Sequence, residues 1–169
     1  MIFMCNDVGL CEILRYYITS ELSKDYKNIS EKNISENINN MDKDDLCKKV
    51  KCLSEKRKNE MYNKLCCNKY KWIKMTASYE RLQLSKINDK INKYLDKAKF
   101  MLKPFAELVK KLDSCSLMNE FQPKNIIIKY NVLICLKENN NIRIIDGNHR
   151  AVALFILGTR NFNCYVGYK

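Results

Sequence analysis

What this chain has least of narrows it first. It holds one histidine, His149, which removes any zinc site built on paired histidines. Its nine cysteines do not replace them. No Cys-x-x-Cys occurs, whereas structural zinc needs closely spaced Cys and His pairs. No apolar run approaches the roughly 20 residues that cross a bilayer, so no membrane partner is expected. Residues 1–18 are apolar but interrupted by Asp7, Glu12 and Arg15, with neither a basic leader nor a small-residue cleavage site. A secretory signal is therefore not expected. These absences predict a cytoplasmic protein with reduced cysteines. Cys135 and Cys164 sit in apolar runs, and the thiols are expected to be buried as small hydrophobes.

One sign of charge dominates. The net charge is +12, and Lys43–Lys74 alone carries eleven Lys and Arg against four Asp and Glu. Such a block suggests DNA, RNA or another polyanion as partner. A Lys- and Asn-rich background with a solvated helix face explains it equally well. Both readings stay open here.

At 169 residues there is room for one core with a small appendage. Residues 1–26 read as helical: Val8, Cys11, Ile13, Leu14, Tyr17, Ile18 and Leu22 recur mostly at three-to-four spacing. Lys27-Asn-Ile-Ser-Glu31 is repeated as Lys32–Glu36, and the tract near 27–41 reads as a linker in which a short helix remains open. From Asp42 to about Lys71, Leu46, Val50, Leu53, Met61 and Leu65 keep helical spacing. A further helix is predicted over Tyr79–Phe100, and another from Pro104 to Leu112, where proline is tolerated at the start.

Beyond Phe121 the period changes. Ile126–Ile128, Asn131–Leu136, Ile142–Ile145 and Phe162–Val166 read as strands, with a polar turn over Glu138–Asn141. A helix over Ala151–Leu157, stopped by Gly158, separates the last two. The expected fold class is α+β, in two parts: a helical region 1–70 and a domain 71–169.

The chemistry-bearing stretch is Asp146-Gly147-Asn148-His149-Arg150, set between a strand and a helix. Gly147 lets backbone approach a phosphate closely. The N–H groups of Asn148, His149 and Arg150 at a helix start, with the Arg150 guanidinium, would make an anion seat. Asp146 could hold Mg²⁺ or accept a proton. His149, with an ordinary pKa of about 6.5, suits proton transfer or a phosphate contact. The plainer alternative makes Asp146 a helix cap, Gly147 a relief of the turn, and His149 and Arg150 surface residues.

The order strand, Asp-Gly-Asn-His-Arg, apolar helix, Leu-Gly and short strand resembles the ParB/sulfiredoxin superfamily, whose members often carry Asp-Gly-x-His-Arg there. Glu107–Leu112 followed by Phe121-Gln-Pro-Lys-Asn-Ile-Ile-Ile128 is similar to that family's short helix leading into a strand. The resemblance covers roughly residues 100–169. It implies a small mixed sheet with packed helices. Sulfiredoxin chemistry is not implied, because Asn148 stands where those members use a cysteine. Nor is the partition-protein architecture, since no helix-turn-helix domain comes after it. Free serine kinases of the superfamily keep Asp and His in the motif, matched by Asp146 and His149, and use an upstream Glu as base. Glu80 and Glu107 are the candidates for it. Nuclease activity has also been ascribed to ParB-like proteins. Fic-type AMP transfer would need a His a few residues before the acid, and Asn141–Ile145 has none.

The expectation is thus a nucleotide-binding enzyme, a kinase or NTPase using ATP/ADP or CTP with Mg²⁺. The substrate would be a small molecule or a nucleic acid, with the phosphates seated on Gly147–Arg150. The alternatives are a DNA- or RNA-binding, nuclease-like protein using Lys43–Lys74, and an inert interaction module.

Overall fold

The computed structural model describes residues 6–25, 36–67, 69–84, 131–148, 150, 151, 154 and 159–169. The architecture is mixed α and β, with one mixed sheet and a few helices. The chain divides into two compact units, one spanning Asp7–Trp72, the other containing the described residues from Ile73 to Tyr168.

The unit Asp7–Trp72 is mainly helical. A two-residue strand, β1 (Asn6–Asp7), leads into α1 (Leu10–Asp25). The helix expected over 1–26 therefore starts later, because the Val8 N–H donates to the Trp72 carbonyl at 3.1 Å. That strand-like bond holds the entry extended. On α1, Ile13, Leu14, Tyr17 and Ile18 are buried, a stripe with the 3.6-residue period. Residues 36–39 form a helical turn that buries Ile38, so this part of the polar tract is structured. The tract's earlier residues lie outside those described.

Asp42 then starts α2 (Lys43–Arg57), its carboxylate accepting the Asp45 N–H at 2.9 Å. Such a cap satisfies one of the donors a helix start leaves open. Lys58, at φ 51°, ends the helix. Its N–H reaches the Glu55 carbonyl and the Asn59 N–H the Ser54 carbonyl, a Schellman-type stop. This is why the helix predicted to about Lys71 is interrupted. The chain resumes as a π-helical turn, Asn63–Cys67, and becomes a strand at Lys71. Leu46, Val50, Leu53, Met61 and Leu65 are all buried, as their spacing predicts. Arg57 Nε meets the buried Glu21 carboxylate at 3.2 Å, which ties α2 to α1.

The second unit is the sheet. Its strands are β2 (Lys71–Ser78), β3 (Leu82–Leu84), β4 (Val132–Glu138), β5 (Asn141–Asp146) and β6 (Asn161–Tyr168), and the unit boundary falls within β2. The order is β1-β2-β6-β4-β5-β3. β4 and β5 form a hairpin whose turn holds Asn139 at φ 54°, a conformation asparagine tolerates well. β6 lies parallel to β4, and β3 parallel to β5. β2 runs antiparallel to β6: Lys74 lies over the Tyr165 ring, Thr76 donates to Asn163, and the Tyr79 N–H donates to the Arg160 carbonyl.

The helix predicted over Tyr79–Phe100 does not begin as one. Tyr79–Arg81 is a single 3₁₀ turn, and Leu82–Leu84 is a strand with both leucines buried. Pairing with β5 overrides local helix propensity there. The rest of that prediction, with 104–112 and 126–128, lies outside the described residues.

The strand order also bends the sheet. From Ser78 to Leu82 the chain reaches at most about 14 Å. In a flat sheet β2 and β3 would stand about 19 Å apart, four strand spacings of roughly 4.8 Å. The sheet must curl until its two sides approach. Inside the curl lie Ala77, Leu82, Leu84, Leu133, Cys135, Ile142, Ile144, Phe162, Cys164 and Val166, joined by Ala151 and Leu154 from the helical residues after β5.

Candidate functional site

The Asp146–Arg150 motif sits where β5 leaves this curled sheet. Pairing with β4 slips just before it. Ile134 faces Asp146 while Cys135 faces Ile144, so Ile145 is an extra residue, a bulge. Bulges bend a strand and re-aim the residues beyond the bend, and here Ile144 and Ile145 are both buried in succession.

Gly147 comes next, at φ 94°. A side chain would be strained there, and it would also have no space. A Cβ would stand 2.9 Å from Leu133 Cδ2 and 3.4 Å from Arg150 Nη1. The Gly147 carbonyl accepts the Ala151 N–H at 2.8 Å, which makes Gly147 the first capping position of the helical residues Asn148, Arg150, Ala151 and Leu154. Asp146 is one residue too early to be that cap.

Arg150 is not a surface residue. It is 8% exposed, and its Nη1 donates to the Val132 carbonyl at 2.7 Å. Nη2 lies 3.9 Å from Asp146 Oδ2. The guanidinium therefore lies under Gly147, bridging the N-terminal end of β4 to the end of β5. The anion seat loses this cation as a direct ligand, and the turn gains a rigid brace. Asn148 is buried beside it, at 9% exposure.

Asp146 keeps 15% of its side chain exposed. Its charge is felt inside the sheet. Burial pushes the Cys135 thiol well above its ordinary pKa, and a hydrogen bond with Cys164 and the Asp146 carboxylate add to this. Cys164 also donates to the Phe162 carbonyl. Both thiols are buried core residues, as the sequence predicts. Cys52 and Cys67, by contrast, are exposed, while Cys11, Cys47 and Cys66 are half-buried. The general burial of thiols is corrected at these positions: α1, α2 and the π-turn carry them on partly solvated faces.

No protein-family model, curated protein or solved structure matches this chain. The site stands on its own geometry.

The remaining candidates divide. His149 and Glu107 lie outside the described residues. Glu80 is exposed in the 3₁₀ turn before Leu82, and Leu82 pairs with Ile142. The structure brings together Asp146, Gly147, Asn148 and Arg150. What the sequence did not disclose is the Val132 carbonyl. A backbone acceptor leaves no mark in a side-chain pattern.

Among the described residues, no group of three or more His, Cys, Asp or Glu side chains could hold a metal ion. A hard cation at Asp146 would have to share that carboxylate with oxygens of its substrate, which is how Mg²⁺ is commonly held. No helix among the described residues is long and apolar enough to cross a membrane.

Proposed function

We propose that the sheet unit is a ParB/sulfiredoxin-type domain that binds a nucleotide, ATP/ADP or CTP, and transfers or hydrolyses its terminal phosphoryl group. One observation supports this most: the turn after β5 is built around an absent side chain. Gly147 is held at positive φ against Leu133 and a buried arginine, which fixes the backbone at the start of a helix. Such a start favours phosphate by its donors and its dipole.

In this reading the N–H groups from Asn148 onward receive the phosphates. His149 contacts them or moves a proton. Asp146 contributes its partly exposed carboxylate to Mg²⁺, which would offset charge on the transferring group. Arg150 acts by holding the turn in place rather than by touching the ligand. The general base is then Glu80, Glu107 or Asp146.

Thermal denaturation with ATP, ADP and CTP, with and without Mg²⁺, tests this. Native-state binding raises the apparent Tm with ligand concentration, by about 2.7 kcal/mol of stability at a hundredfold excess over Kd. The expected result is a Mg²⁺-dependent rise that His149→Ala and Asp146→Asn reduce. No rise with any nucleotide sinks the proposal.

A second reading has its own observation. Lys43, Lys48, Lys49, Lys51, Lys56 and Lys58 are all exposed along α2 and its cap, a surface suited to nucleic-acid phosphates. Binding there would weaken steeply as salt rises, because each phosphate contact releases counterions. Salt-insensitive or absent DNA and RNA binding removes it.

A further inference from the structure

The face of the sheet turned away from its core carries a second polar group level with the Gly147 turn. Leu133, Cys135, Phe162, Cys164 and Val166 belong to the core. Successive strand residues point to opposite faces, so Val132, Ile134, Asn163 and Tyr165 project from the other one. Along the parallel β4–β6 pair, Val132 stands opposite Asn163 and Ile134 opposite Tyr165. On its other side Ile134 stands opposite Asp146. Ile134 and Tyr165 are buried, whereas Asn163 is exposed and Thr76 half-buried. The open part of this face is therefore the row through Asn163.

That row leads to the turn. Val132, the register partner of Asn163, is the residue whose carbonyl holds Arg150 beneath Gly147, at 2.7 Å. Asn163 lies two strands from the end of β5, about 10 Å at roughly 4.8 Å per strand. A nucleotide bridges such a span from its phosphates to its ribose and base.

The amide of Asn163 is also oriented. Thr76 Oγ1 donates to Asn163 Oδ1 at 3.3 Å, which holds the oxygen side and leaves Nδ2 to donate to a ligand. An amide offers a donor and an acceptor side by side, the arrangement that reads base edges. β2 and β6 carry no Asp or Glu. Lys74 lies one cross-strand pair away, 5.6 Å over the Tyr165 ring. Nothing on these two strands repels an anionic ligand.

Resting on the nucleotide reading, we propose that Asn163 is a specificity-determining residue of that site. It hydrogen-bonds the nucleoside end of a nucleotide whose phosphates sit at the Gly147 turn, and Thr76 is the residue that positions it. A site built to hydrogen-bond a ligand group discriminates against an analogue that lacks the group. Inorganic tripolyphosphate is that analogue, since it has the phosphates without the nucleoside.

Calorimetric titration of the full chain with ATP, CTP and tripolyphosphate, each with Mg²⁺, tests this. The wild type should bind one of the nucleotides more tightly than tripolyphosphate. Asn163→Ala and Thr76→Val should weaken that nucleotide roughly three- to tenfold, the weight of one neutral hydrogen bond. Both should leave tripolyphosphate unchanged, and Thr76→Ser, which keeps the hydroxyl, should retain most of the affinity. The proposal is overturned if Asn163→Ala binds the nucleotide as the wild type does. An equal loss for tripolyphosphate overturns it as well, because Asn163 would then act through the turn. So does tripolyphosphate binding as tightly as the nucleotides, an outcome that spares the phosphate seat. If none of the three probes binds, the nucleotide reading fails and takes this proposal with it.

Discussion

Arg150 reaches back from the helical residues after β5 and places Nη1 2.7 Å from the carbonyl oxygen of Val132, at the start of β4. A side chain thus closes a gap between two strand ends that the β4–β5 ladder does not bridge, since that ladder stops at the Ile134–Asp146 pair. The motif is an internal joint before it is anything else.

Replacing Arg150 should accordingly damage the fold. Arg150→Ala leaves the Val132 carbonyl and the Asp146 carboxylate with one fewer partner in a buried setting. A loss of about 3 kcal/mol is expected, the scale for breaking a buried pair. Arg150→Lys should recover only part of it, because an ammonium lacks the planar fork. Urea denaturation measures both. A loss under about 0.5 kcal/mol would show that the bridge is dispensable.

Gly147→Ala should cost about 2–4 kcal/mol, from a strained φ plus contact with Leu133. Leu133→Val in the same chain should return part of that, because it withdraws the atom 2.9 Å from the new Cβ. The double-mutant cycle reads the coupling directly. Strict additivity would mean that the strain is purely backbone.

Lys58 takes a left-handed conformation at the end of α2, where glycine is at ease. Lys58→Gly should therefore stabilise the helical unit by about 1 kcal/mol. A higher urea midpoint with unchanged slope is the expected signature. A lower midpoint would mean that the lysine stem contributes more by packing than its backbone costs.

The cysteines set an alkaline limit. Cys135 and Cys66 have folded-state pKa values raised above the unfolded value of about 8.5. The native state then holds protons that the unfolded chain gives up. Their contribution is complete below about pH 8.5 and is lost as pH climbs toward the folded values. Stability should fall steadily from pH 8.5 upward, and less so in Cys135→Ala after allowance for its lower starting point. In alkylation at pH 8, Cys52 and Cys67 should react at once and Cys135 and Cys164 only on unfolding. Equal rates at all four would contradict their burial.

Helices and hairpin were legible in the sequence because their signals are local. Leu46, Val50 and Leu53 announce α2 by spacing, and Glu138–Asn141 announces a turn between two apolar runs. β2 and β3 were not legible. Leu82 and Leu84 become a strand only by pairing with Ile142 and Ile144, some sixty positions later, and no window along the chain contains both partners. The Asp146–Arg150 motif was legible as a polar turn between a strand and a helix, but not in the orientation of its side chains. Arg150 reads as a cation for a ligand, whereas its partner is a carbonyl whose position depends on the whole sheet. The plainer alternative, Asp146 as helix cap, falls one residue early for a similar reason: the bulge at Ile145 shifts where β5 ends.

The parallel pairing of β3 with β5 has a consequence for the order in which the sheet assembles. Leu82 and Ile142 stand sixty positions apart in the sequence, and contacts so distant along the chain form slowly, because closure entropy precedes their reward. The β4–β5 hairpin joins Glu138 to Asn141 across a short turn, so it is expected to form first and to offer β5 as the template on which β3 docks.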